Sequence, residues 1–364
     1  MDINKKFENK IIDKLEWGSL ATFVPNKNTP VYNWLYYKEG FARELVFKLF
    51  DMFAINNEKV VLDPFCGVGT TLLACKERGI DAIGFDVLPI ALFATKVKLS
   101  SYNVDELKEN AKKLLKKKFV RPEIKEVPPI MKKGFSKYAL EDIIFFKEKI
   151  NEIEDNNRNF FLLALINAAL KVSYARKDGA TFKIEKRNVA PLRIMLRRVI
   201  YKMIRDYEKF KINTKSNVVV EQCDARRMNL EDESIDAIIT SPPYLNQIDY
   251  TKVYAIENYI IGEKIEPLLR SFVGFDEENY FKDMELVLKE MYRVCKDGAR
   301  IAIVIANAYI PDRIIESDII LSQIAEKVGF KVDKIYVLNK RHALEGRTIK
   351  VGTLRESMII LEKI

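Results

Sequence analysis

Two short segments of this 364-residue chain hold residue types whose spacing could do chemistry. The first is Asp63-Pro64-Phe65-Cys66-Gly67-Val68-Gly69-Thr70-Thr71. An apolar run ends there in Asp-Pro and gives way to two glycines and a helix-forming stretch. Without a Cβ atom, Gly67 and Gly69 let backbone pass close under a ligand, and the helix that follows offers its positive N-terminus. The loop is too short for a phosphate-cradling GxxxxGK[ST], and Leu72 stands where the third glycine of GxGxxG would fall. The second segment is Thr240-Ser241-Pro242-Pro243-Tyr244, directly after the apolar run Asp236–Thr240. Two prolines donate no backbone hydrogen bonds and hold the chain extended, which frees the Pro242 carbonyl to face a cleft. Ser241 adds a hydroxyl acceptor. Tyr244 adds an aromatic face on which a base can stack, a contact of about 1–3 kcal/mol. Such a set suits a planar amine, its hydrogens held by oxygens while the ring is clamped.

Two more carboxylates stand at strand ends. Asp86, in Gly84-Phe85-Asp86-Val87, lies 17 residues beyond Gly69. It can accept hydrogen bonds from both hydroxyls of a ribose or cap the helix that follows. Asp224, in Cys223-Asp224-Ala225-Arg226, can pair with the exocyclic amine of an adenine or be a turn residue. His342 is the single histidine, which excludes His-based metal sites and argues against a Ser-His-Asp triad. Cys66, Cys75, Cys223 and Cys295 contain no CxxC pair, so no metal site is expected, and four scattered cysteines fit a reducing compartment.

The elements that must position these residues alternate. A helix is expected from Ala42 to residue 55, a strand over 59–65, a helix over 70–78, a strand over 81–87 and a helix over 88–100. That order implies a parallel sheet with right-handed crossovers. The alternation then stops. Residues 103–118, 138–175 and 190–210 read as helices, with a proline-rich linker at 121–130 and a basic, glycine-containing connection between the last two. Alternation resumes at Asn217, with strands near 217–225, 234–244 and 299–307, helices Glu277–Cys295 and Ser317–Val328, and two final strands paired as a hairpin. The expected architecture is α/β: a Rossmann-like, doubly wound, mostly parallel seven-stranded sheet interrupted by an all-helical basic insertion. An apolar content of 48% is ample for a large core.

The net charge of +9 is unevenly spread. Residues 101–216 carry 28 Lys and Arg against 15 Asp and Glu, a local +13, while the rest of the chain carries 33 against 37. A basic module set into a near-neutral body suggests a polyanion partner. The N-terminal stretch has no apolar core of a secretory signal, and Phe160–Leu170, interrupted by Asn167, is too short to span a bilayer. A cytoplasmic protein without membrane association is expected.

Asp63–Thr71 followed by Ser241–Tyr244 resembles the amino-group DNA methyltransferases, which methylate exocyclic amines of cytosine or adenine with S-adenosyl-L-methionine. The likeness covers residues 31–100 and 217–364. It makes residues 1–100 and 217–364 the methyltransferase catalytic domain and leaves 101–216 unexplained. It implies that Asp63, Phe65, Cys66, Gly67 and Gly69 line the methionine end of the cofactor, that Asp86 holds the ribose and that Asp224 holds the adenine amine. Lys38-Glu39-Gly40-Phe41 is similar to the family's N-terminal cofactor-contacting segment, which adds Phe41 to the binding set. Ser241, Pro242, Pro243 and Tyr244 match the catalytic tetrapeptide. Serine in its first position is typical of the cytosine N4 branch, where Asp or Asn is more usual for adenine N6. The family commonly carries a recognition domain between the two halves or after them. Only 17 residues separate Asp224 from Ser241 here, so the basic insertion becomes the candidate nucleic-acid-recognition module.

The resemblance implies a double-stranded DNA methyltransferase, part of a restriction-modification system, that flips its target base and methylates cytosine N4 directly. Unstacking costs a few kcal/mol, which phosphate contacts by the insertion would offset. The alternatives are an adenine N6 enzyme, an RNA (tRNA) base-amine methyltransferase, and a non-catalytic nucleic-acid-binding protein. No oligomeric state is implied.

Overall fold

The computed structural model describes residues 6–124, 127–178, 181–210, 215–245, 253–262, 276–310, 313–345 and 349–364. A short strand β1 (Ile11–Asp13) and several single-turn segments lead into helix α1 (Arg43–Met52). The buried side chain of Asn26 stands in for a helix cap. Its Oδ1 accepts from the Arg43 amide at 3.0 Å while its Nδ2 donates to the Phe41 carbonyl at 2.9 Å. An otherwise orphaned first-turn N–H is thereby satisfied.

The expected alternation follows as β2 (Val60–Asp63), α2 (Thr70–Arg78), β3 (Asp81–Asp86) and α3 (Pro89–Leu99). The insertion holds α4 (Val104–Lys116), α5 (Pro129–Gly134), α6 (Lys137–Asn151), α7 (Asp155–Val172), the strands β4 (Ala175–Asp178) and β5 (Thr181–Ile184), and α8 (Leu192–Lys209). Two expectations change here. The single helix read over 138–175 is two, parted at Glu152–Glu154, where the polar run Asp155-Asn156-Asn157 has the composition of a helix start. The insertion is also not all-helical, because β4 and β5 form an antiparallel hairpin with Asp178 opposite Thr181.

The chain returns with β6 (Val218–Gln222), β7 (Ile235–Thr240), α9 (Ala255–Ile261), α10 (Glu277–Val294), β8 (Cys295–Ala306), β9 (Ala308–Ile310), β10 (Arg313–Ile315), α11 (Ser317–Val328), β11 (Phe330–Glu345) and β12 (Ile349–Lys363). The main sheet runs β1-β11-β12-β8-β7-β2-β3-β6. Strands β6, β3, β2, β7 and β8 are parallel, and β12 is antiparallel to both β8 and β11. Seven strands therefore form the doubly wound Rossmann-like sheet, with the last two as the expected hairpin. The three-residue β1, too short to read from its sequence, adds an eighth strand alongside β11.

Both faces of the sheet are buried. Ile238, Ile301, Ile303 and Ile305 belong to one apolar cluster, while Ile239, Ala302 and Val304 belong to another. That alternation is the two-residue period of a strand covered on both sides. The insertion shares the second of these clusters. Trp34, 1% exposed, meets Phe160 of α7 edge-on at 5.3 Å, and Tyr102 meets Tyr207 of α8 at 5.3 Å. The Tyr102 amide donates to the Tyr207 hydroxyl at 2.8 Å, so α7 and α8 are stapled to the end of α3.

Candidate active site

Strand order reverses between β2 and β7: the chain steps from β2 toward β3 and β6, then returns to β7 and β8 on the other side. In doubly wound sheets, the crevice at the carboxyl ends of such a pair is where ligands bind. Both motifs end there. Asp63 closes β2, and Thr240, immediately before Ser241, closes β7. The Thr240 hydroxyl donates to Asp63 Oδ1 at 2.7 Å, and the Phe65 amide reaches the same oxygen at 3.2 Å. Asp63 is 2% exposed. Burial pushes its carboxyl up to about 6, although the Thr240 and Thr71 hydroxyls and the Phe65 amide pull the other way.

The turn after β2 is built around Asp86. Its Oδ2 accepts from the Gly67 amide and its Oδ1 from the Leu88 amide, both at 2.8 Å. One carboxylate thus holds the glycine loop and the turn that leads into α3, whose N-cap is Leu88 and carries no side-chain cap. Burial raises its pKa despite these amides. Cys66 is tied to β3 through its amide, which donates to the Phe85 carbonyl at 2.8 Å, and burial pushes its thiol well up. The glycines have packing reasons of their own. At Gly67, φ is +51° and an added Cβ would sit 3.0 Å from the Tyr37 ring; at Gly69, φ is +78° and it would sit 2.6 Å from Thr95 Cγ2. The Cβ direction at both glycines is thus taken up by protein side chains. The Thr95 hydroxyl donates to the Gly67 carbonyl and the buried Lys98 ammonium to the Val68 carbonyl, both at 2.9 Å.

An aromatic wall flanks this loop. Tyr37 and Tyr254 stack with ring centroids 5.5 Å apart and planes 17° apart. The Tyr254 hydroxyl donates to Glu39 at 2.8 Å. On the insertion's hairpin, Lys177 sets its Nζ 3.5 Å from the Tyr254 ring centroid and 2.8 Å from Glu257. Phe41 is buried in the same apolar cluster as Tyr37, Cys66 and Val68.

The second motif is held from two sides. The Tyr280 hydroxyl of α10 donates to the Pro243 carbonyl at 2.8 Å. The Ser241 hydroxyl lies 3.5 Å from the Tyr244 hydroxyl, which donates to Glu356 Oε1 at 3.1 Å. Tyr244 and Phe65 are both half-buried against the apolar cluster on the α10 side of the sheet.

Asp224 stands at the next strand end, where the neighbouring Cys223 amide donates to the Asp86 carbonyl at 3.2 Å. Both its oxygens face Arg226, with Nη2 at 2.7 Å and Nε at 3.1 Å, and the Arg226 amide closes a turn on Oδ1 at 2.9 Å. Partial burial works against ionisation there, but these donors outweigh it and hold the carboxyl below its ordinary range.

The structure thus gathers Asp63, Phe65–Gly69, Asp86 and Ser241–Tyr244 at the carboxyl ends of β2, β3 and β7, with Asp224 beyond the neighbouring β6. The sequence reading quoted Thr240 without giving it a role, and missed Tyr37, Tyr254, Tyr280, Lys177 and Glu356. Tyr37 directly precedes the quoted Lys38-Glu39-Gly40-Phe41 and could have been found. Glu356 lies 112 residues from Tyr244 on an adjoining part of the sheet, with no local signal.

A family model described as DNA methylase, N6_N4_Mtase, matches residues 17–92 and 235–363. The chain belongs to this DNA methylase family. The match skips 93–234, which holds the whole insertion and Asp224. Among curated proteins, the chain is 27% identical to Type II methyltransferase M.BsoBI of Geobacillus stearothermophilus, over 100% of this chain and 92% of that one. It is 26% identical to Type II methyltransferase M.AvaI of Nostoc sp., over 92% and 87%. It is also 26% identical to Type II methyltransferase M.MjaII of Methanocaldococcus jannaschii, over 83% and 77%.

The methylase uses S-adenosyl-L-methionine as methyl donor. Its donor set fits that molecule. Asp86 accepts the Gly67 and Leu88 amides on different oxygens, and a carboxylate has about four acceptor sites in all. Asp63 supplies a buried carboxylate beside the same loop. No helix among the methylase's described residues is long and apolar enough to cross a membrane.

Proposed function

We propose that this methylase is a type II, site-specific DNA methyltransferase of a restriction-modification system, acting on cytosine N4 in double-stranded DNA in the cytoplasm. The observation that carries it is the placement of Ser241-Pro242-Pro243-Tyr244 at the β7 end, with Thr240 bonded directly to Asp63 of the glycine loop. The relatives' names, all type II methyltransferases, support the same class.

S-adenosyl-L-methionine supplies an electrophilic methyl group when bound. Asp63, Phe65, Cys66, Gly67 and Gly69 would hold its methionine end, with Phe41 in support, and Asp86 its ribose. Asp224 would accept the adenine amine by sharing or releasing Arg226. The delocalised lone pair makes an exocyclic amine a poor nucleophile. The Ser241 hydroxyl and the Pro242 carbonyl accept its two hydrogens and favour a pyramidal nitrogen. Tyr280, by occupying the Pro243 carbonyl, fixes the peptide that aims these groups. Tyr244 stacks on the flipped base. Orientation of this kind lowers barriers without an acid–base residue.

The insertion at 101–216 would contact DNA. On α8 the apolar residues Leu192, Leu196, Val199, Ile200, Met203 and Ile204 face inward, while Arg197, Arg198 and Arg205 are exposed. The hairpin brings Lys177 to the aromatic wall, which would link the DNA-contacting insertion to the site. Incubation with DNA and methyl-labelled cofactor, followed by nucleoside analysis, tests the reading: N4-methylcytosine is expected. Label in N6-methyladenine alone would reassign the base, and label in RNA alone would reassign the substrate.

A further inference from the structure

From the geometry around Tyr244 we infer that Glu356 is a positioning residue that sets the direction of hydrogen bonding through the catalytic tetrapeptide. The inference rests on the reading of Ser241 and Tyr244 given above. The chain of contacts is Ser241 Oγ to Tyr244 Oη at 3.5 Å, then Tyr244 Oη to Glu356 Oε1 at 3.1 Å. A phenol hydroxyl has one hydrogen and two lone pairs, and an ionised carboxylate only accepts. Glu356 therefore takes the Tyr244 hydrogen and leaves the Tyr244 oxygen as an acceptor toward Ser241. The Ser241 hydrogen turns to it, and the Ser241 lone pairs turn outward, where an amine hydrogen must be accepted. Without the carboxylate, Tyr244 could donate to Ser241 instead and occupy the lone pairs the reaction needs.

The fold places Glu356 for this task. It sits on β12 directly opposite Ala306 of β8 and Asn339 of β11, at the point where both neighbours are still paired. It is paired to a strand on each side, and the adjacent Ser357 and Arg355 are fastened to the buried Asp318. Tyr244 crosses the end of β8 to reach it. Burial raises the Glu356 carboxyl, while Tyr244, the Arg341 charge and Asn339 favour the ionised form.

The test is a double-mutant cycle on DNA methylation by the full chain, with Glu356→Ala, Tyr244→Phe and the pair. Tyr244→Phe keeps the stacking ring and removes the hydroxyl. Each single change should lower kcat by roughly tenfold with KM for cofactor unchanged, and the double variant should be no worse than either. Glu356→Gln, which keeps an acceptor oxygen, should recover most of the loss. Additive losses in the double variant, or full activity in Glu356→Ala, overturn the inference. Thermal unfolding of each variant separates misfolding from the effect on turnover. Ser241→Ala and Tyr244→Ala report on the underlying reading: if both retain normal turnover, the tetrapeptide is not catalytic, whatever Glu356 does.

Discussion

The Thr240 hydroxyl donates to Asp63 Oδ1 at 2.7 Å, joining the residue that ends β7 to the residue that ends β2. These two strands flank the point where the sheet reverses its order, so the bond couples the Ser241–Tyr244 segment to the Phe65–Gly69 loop. A buried carboxylate without that hydroxyl would be costlier still to ionise. Thr240→Val should therefore weaken cofactor binding and lower stability by about 0.5–1.5 kcal/mol, the net worth of one hydrogen bond, because the Phe65 amide still reaches the same oxygen. Calorimetric titration and urea unfolding check both.

Asp63 should also leave a pH signature. Its carboxyl, raised by burial from 3.8 to about 6, stays protonated in the folded chain where the unfolded chain has already lost the proton. The folded state then binds more protons between about pH 4 and pH 6, so this group's contribution to stability falls as pH rises through that window, by roughly 3 kcal/mol in total. Asp63→Asn should abolish that fall. Urea unfolding of both proteins at about pH 4.5 and pH 7 measures it. A pH-independent difference between them would count against a raised Asp63. Cofactor affinity should run in the opposite direction, rising above about pH 6 as the ionised carboxylate meets the cofactor's ammonium group.

Asp86 holds two backbone amides and is the proposed ribose acceptor. Asp86→Ala leaves the Gly67 and Leu88 amides without their acceptor, so it should cost about 1–3 kcal/mol per orphaned group as well as cofactor affinity. A melting curve and a cofactor titration on one preparation check this: tight cofactor binding by a destabilised variant would remove the ribose role and leave the structural one.

Gly69→Ala combines a left-handed backbone with a Cβ 2.6 Å from Thr95 Cγ2. Strain of this kind costs of order 1–3 kcal/mol, and relief by moving Thr95 would break its bond to the Gly67 carbonyl. The expected result is a lower Tm together with weaker cofactor binding. Gly69→Ala with Thr95→Ser, which removes the clashing methyl but keeps the hydroxyl, should recover part of both.

On the insertion, Arg197→Glu with Arg198→Glu reverses two exposed charges of α8. DNA affinity should fall and the slope of log affinity against log salt should shrink by about 2, with cofactor affinity unchanged. An unchanged slope would place DNA contact elsewhere on the molecule.

Most of the alternation, the seven strands and the two motifs were legible in the sequence, because each depends on local pattern: β-branched runs ending in Asp-Pro or Ser-Pro-Pro, and helices bounded by glycine. The helix Thr70–Arg78 and the helix Ser317–Val328 fall where the pattern put them. The break between α6 and α7, the β4–β5 hairpin and the edge strand β1 were not legible, since short elements carry weak signals that neighbouring charges obscure.

By itself, then, the sequence determined the doubly wound sheet, the position of each motif at a strand end and the location of the basic charge. Tertiary structure alone decided which strand ends meet. Strand order brings Thr240 to Asp63 across 177 residues and Glu356 to Tyr244 across 112. It also revealed that Gly67 and Gly69 make room for Tyr37 and Thr95, and that Asp224 is already engaged by Arg226. Local pattern encodes what each residue can donate, accept or bury. Which partner it meets depends on sheet topology and packing summed over the whole chain.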